Sequence, residues 1–87
     1  MTLTHIRNAF EMTTHPKLSQ LLALLIERGG LTINAVAPLL DLPPIVALRF
    51  VNRLVHLGYA ARARDERYFA TAFGHEIHAV MRSNSLR

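Results

Sequence analysis

Between positions 17 and 28 the apolar residues Leu18, Leu21, Leu22, Leu25 and Ile26 recur at steps of three and four, which lines them along one helix face. Pro16 fits the first turn of that helix, where no amide hydrogen is needed, and Gly29-Gly30 marks its end. Ile33, Val36, Ala37 and Leu40 continue the period in a second, shorter helix that Thr32 is placed to cap. Pro38 falls inside it and removes one backbone hydrogen bond. After the turn Asp41-Leu42-Pro43 the period resumes. Ala47, Phe50, Val51, Leu54 and Leu57 form a buried stripe on a third helix, opened by Pro44 and closed by Gly58. Arg49, Asn52, Arg53 and His56 fall on its other side.

Beyond Gly58 the period changes to two. Residues 59–64 and 67–71 read as two strands around Asp65-Glu66, with Ala61, Ala63, Tyr68 and Ala70 inward and Arg62, Arg64, Arg67 and Phe69 outward. The turn has no glycine, so a four-residue loop, 64–67, is expected rather than a two-residue one. Thr71 can cap a last helix through Met81, with Phe73, Ile77, Val80 and Met81 as its apolar set. At the other end, Leu3, Ile6, Phe10 and Met12 have near-helical spacing, too short to be stable unless docked. The expected organisation is an N-terminal arm or short helix over 1–14, one domain over 15–82 and a tail over 83–87. The arm serves either its own domain or a dimer contact. Two helices joined by a short turn, the second longer, followed by a hairpin, predict a mainly α protein with a small β-hairpin: a winged helix-turn-helix.

Composition narrows the chemistry. Eighty-seven residues suffice for one core. There is no cysteine, which removes disulfides, thiolate metal sites and a cysteine nucleophile. The longest apolar run, 21–26, is too short to span a bilayer, and Arg7 and Glu11 interrupt any leader-like stretch, so no membrane partner and a cytoplasmic location are expected. The formal charge is +4, and nine of the ten basic residues are arginine, the side chain suited to bidentate phosphate and guanine contacts. His75, Glu76 and His78 lack a third ligand and metal-binding spacing. No nucleophile–base pair and no phosphate-cradling glycine loop is present, so neither an enzyme nor a cofactor is expected.

The stretch 42–59 resembles the recognition helix and following strand of IclR-type transcriptional regulators, through Leu42, Pro43, Ala47, Arg49, Leu54, Leu57, Gly58 and Tyr59. The segment 68–77, YFATAFGHEI, is similar to the ending of many MarR-like winged helices, in which Thr71 is the helix cap and Gly74 a close-packing position. The likeness covers about 17–81. Dimerisation domains of small-molecule O-methyltransferases share the pattern and bind no DNA. The resemblance implies a homodimeric DNA-binding regulator with its terminal helices at the dimer interface. Arg49, Asn52 and Arg53 would meet double-stranded DNA in the major groove, and Arg62, Arg64 and Arg67 would meet it from the wing. Asp65 and Glu66 oppose that role, because they can pair with the wing arginines instead. One departure stands out. Where such helices usually open with small polar residues, this one has Pro44, Ile45 and Val46, with Leu48 before Arg49, and Leu39 lies nearby on the second helix. These residues read as packed core, as contacts to thymine methyls, or as a partner surface, which gives the alternative function of a protein-interaction or dimerisation module.

Overall fold

The computed structural model describes Met12 and residues 15–85. Its elements follow in the order α1 (Pro16–Arg28), α2 (Ile33–Leu40), α3 (Pro44–His56), β1 (Ala60–Arg62), β2 (Tyr68–Ala70) and α4 (Ala72–Ser85). The expected arm over 1–14 lies outside the described residues except for Met12, which is fully buried.

Helix α1 is the hub, packed against α2, α3, β2 and α4. Leu18, Leu21, Leu22 and Leu25 are buried as their spacing predicts, while Ile26 is only partly covered. Each such leucine contributes about 1.5–3 kcal/mol by leaving water. The helix stops at Gly29, whose φ of 74° lets its amide donate to the Leu25 carbonyl at 3.0 Å. Helix α2 starts where Thr32 Oγ1 accepts from the Ala35 amide at 3.2 Å, and it continues past Pro38 to Leu40. Asp41 then turns left-handed at φ 56°, and the Leu42 amide donates back to the Ala37 carbonyl at 3.0 Å. Across this turn the axis swings by 105° into α3, within the range of helix-turn-helix pairs. Lys17 of α1 fixes the corner by donating from Nζ to the Leu40 carbonyl at 2.7 Å. A cation there satisfies an orphan carbonyl and complements the negative end of α2.

Helix α3 begins at Pro44 and buries Ala47, Val51 and Leu54, with Phe50 and Leu57 packed at the margin. Gly58, at φ 85°, closes it.

The hairpin departs from expectation in three ways. Its strands are shorter, and the pairing is Ala60 with Ala70, Ala61 with Phe69 and Arg62 with Tyr68. Directly opposed residues share a face, so buried Ala60 lies inward with Tyr68 and Ala70, and Ala61 stands outward opposite Phe69. The inward pair is therefore not Ala61 and Ala63. Arg62 starts on the inner face across from Tyr68 and runs out to solvent at its open end. Second, the tip is a β-turn from Ala63 to Glu66, with the Glu66 amide donating to the Ala63 carbonyl at 3.2 Å and Glu66 itself at φ 66°. The Ala63 amide donates to the Arg67 carbonyl at 2.8 Å, so the loop has three residues, 64–66, rather than four. Third, Leu31 joins the outer side of β2 through reciprocal bonds with Tyr68 of 3.1 and 2.8 Å. This single-residue strand ties the start of the helix pair to the wing.

Thr71 caps α4 as expected, accepting from the Gly74 amide at 3.1 Å. The same hydroxyl donates to the Gly58 carbonyl at 2.6 Å. Gly74 is a close-packing position, because a Cβ there would strike the Tyr59 carbonyl oxygen. The buried line of α4 therefore runs through Gly74, Ile77 and Met81. Phe73, expected among the apolar set, is rotated away and is 54% exposed. The helix also continues past Met81 to Ser85, into the stretch expected as a tail. With no glycine or proline among residues 82–85, nothing local stops it.

Candidate nucleic-acid interface

The outer surface of α3 is set by the same periodicity that buries its inner one. Ile45, Arg49, Asn52 and His56 follow at steps of four, three and four, so they stack in one row directly opposite Ala47, Val51 and Leu54. All four are exposed, and so is Arg53 on the flank of the row. The row is about 16 Å long at 1.5 Å of rise per residue, the span of roughly five base pairs. No acidic residue occurs in α3. Arg49 and Arg53 also border a cleft of about 240 Å³, which Phe50, Leu18 and His15 complete against the start of α1.

The apolar opening of α3 divides. Val46 and Leu48 are half-buried, whereas Ile45 is 61% exposed and Leu39 of α2 is 41% exposed. Ile45 thus stands among the polar residues of the row rather than in the core.

On the wing Arg62, Arg64 and Arg67 are all exposed. Two of them are engaged by the tip acids. Arg62 lies 3.4 Å from Glu66, and Arg67 lies 3.3 Å from Asp65, whose carboxylate also accepts from the Arg67 amide. Arg64, at the tip itself, has no acidic partner among the described residues.

The remaining titratable cluster lies on α4. Burial, then the charge of Arg82, then that of His75, hold the His78 imidazole below its ordinary pKa. Among the described residues no group of three or more His, Asp and Glu is placed to hold a metal. Nor is any single helix there long and apolar enough to cross a membrane.

A helix pair turned by 105°, a longer second helix with a solvent-facing basic row, and a hairpin tied to both define a winged helix-turn-helix. The chain superposes on the multiple antibiotic-resistance repressor MarR from Listeria monocytogenes with a TM-score of 0.79 at 15% identity, over 93% of this chain and 59% of that one. It superposes on a MarR family protein from Bacillus stearothermophilus with a TM-score of 0.72 at 24% identity, over 92% of this chain and 62% of that one. It therefore has the winged-helix fold of MarR-type proteins and spans about three fifths of their length. No family model and no curated protein matches this chain.

Sequence reasoning missed two residues that position this surface. Lys17 fixes the corner between α2 and α3, and Leu31 anchors the wing. Neither carries a local signal: the lysine acts across 23 positions, and a one-residue strand has no period.

Proposed function

We propose that this chain is a non-catalytic, DNA-binding module of a transcriptional regulator, acting as a homodimer, with α3 in the major groove and the wing against the backbone. The solvent-facing row on α3, exposed and free of acids, carries this reading. Arg49, Asn52 and Arg53 supply the groove contacts, where arginine and asparagine match guanine and adenine edges. Arg64 leads the wing contact, and Arg62 and Arg67 join it by exchanging their carboxylates for phosphates. One of the solved neighbours is described as a repressor, which supports the same assignment. A homodimer would place two such helices in successive grooves and read a palindromic site about 34 Å between half-site centres.

The test is a gel shift on random duplex at low salt, followed by sequence selection and a salt titration. A binder with several phosphate contacts gives a log–log slope steeper than about −3. Absence of any shift at low salt overturns the assignment. A flat salt response would give the face to a protein partner docking on Leu39 and Ile45, with Val46 and Leu48 at its edge.

A further inference from the structure

We propose that Ile45 makes α3 a reader of the 5-methyl group that thymine presents in the major groove. The inference rests on the DNA-binding reading above and specifies part of what that surface recognises. Ile45 is the second residue of α3, in the turn that meets base edges when such a helix enters a groove. It is 61% exposed, so the fold does not use it as core. Its apolar neighbours in sequence, Val46 and Leu48, are half-buried, while Pro43, Pro44 and Leu39 of α2 are exposed nearby, so it is the surrounding charge that selects the occupant.

Charge complementarity selects nucleic acid as the occupant. Ile45 lies one turn before Arg49 in the same outward row, Arg53 flanks that row, and the helix has no acid. A duplex that neutralises those guanidinium groups brings its base edges against the isoleucine. The purine N7, guanine O6, adenine N6, cytosine N4 and thymine O4 presented there all form hydrogen bonds, and the thymine methyl is the one apolar group on the major-groove edge. The side chain is suited to it: a β-branched residue in a helix holds essentially one χ1 rotamer, so little freedom is lost on contact. Isoleucine can neither donate nor accept a hydrogen bond, and it would leave an amino group or carbonyl of another base unsatisfied.

The experiment uses the duplex obtained by sequence selection. Each thymine is replaced in turn by deoxyuridine, which removes the methyl and preserves base pairing. Wild-type protein is expected to lose about fourfold in affinity at one thymine per half-site, the value of one buried methyl group. Ile45→Ala is expected to bind the thymine and uracil duplexes equally at that position. Replacing the same thymine by cytosine should weaken wild-type binding, and 5-methylcytosine should restore about fourfold of the loss. Uracil substitutions that are silent at every thymine, or an Ile45→Ala protein that still discriminates, overturn the methyl contact and leave DNA binding standing. Failure to bind any duplex at low salt overturns the methyl contact together with the reading beneath it.

Discussion

The two arginine-bearing surfaces of this molecule handle charge differently. On α3, Arg49 and Arg53 project from a helix that contains no acid. On the wing, Arg62 and Arg67 each lie within 3.4 Å of a carboxylate supplied by the turn between them. The helix has no acid of its own, whereas the turn of the wing places a carboxylate beside two of its three arginines. Exposed ion pairs of this kind hold by less than about 1 kcal/mol, so either arginine readily exchanges its carboxylate when a phosphate arrives.

Breaking the helix side should have the largest effect. Arg49→Ala with Arg53→Ala is expected to reduce DNA affinity by about a hundredfold at low salt and to flatten the salt slope by about two, as measured by gel shift across a salt series. A smaller change of opposite sign is expected from Asp65→Asn with Glu66→Gln. Releasing Arg62 and Arg67 should raise affinity by up to about fivefold. If that double variant binds no better, the wing does not touch the backbone. The smallest effect is on stability. The same variant should shift the free energy of unfolding by under about 1 kcal/mol in a urea titration, because both pairs are exposed. Asp65 also accepts from the Arg67 amide, and asparagine keeps that acceptor.

The helices were legible because burial imposes a period that survives into the sequence. Four of the five leucine and isoleucine positions assigned to the inner face of α1 are fully buried, and Thr32 and Thr71 cap the helices they precede. Phe73 misled because apolar spacing gives a face only to within a rotation. Gly74, drawn against the Tyr59 carbonyl, turned α4 away from the direction its larger side chains suggest. The hairpin misled because Ala61-Arg62-Ala63-Arg64 alternates apolar and basic residues and so points to Ala61 and Ala63 as the inner pair, whereas the observed register turns Ala60 inward and Ala61 outward. Its register comes instead from the turn at Glu66 and from the bonds at Gly58, Tyr59 and Thr71. The six arginine and asparagine positions singled out for the interface are all exposed, the three on α3 by amphipathicity; Arg62, expected outward, starts on the inner face beside Tyr68 and reaches solvent only at the open end of the hairpin. The ion pairs at the tip follow from sequence only as one of two arrangements, since i,i+4 charges can pair with each other or with a ligand.

The tether from Lys17 to the Leu40 carbonyl has a practical corollary. This is the sequence's only lysine, so an acylating reagent finds a single side-chain amine, and finds it already committed to the corner that aims α3. Loss of that hydrogen bond leaves the nitrogen more open to the reagent. Its reaction rate, read by mass on the peptide that carries Lys17 and so kept apart from the α-amine, reports on the opening of the helix-turn-helix.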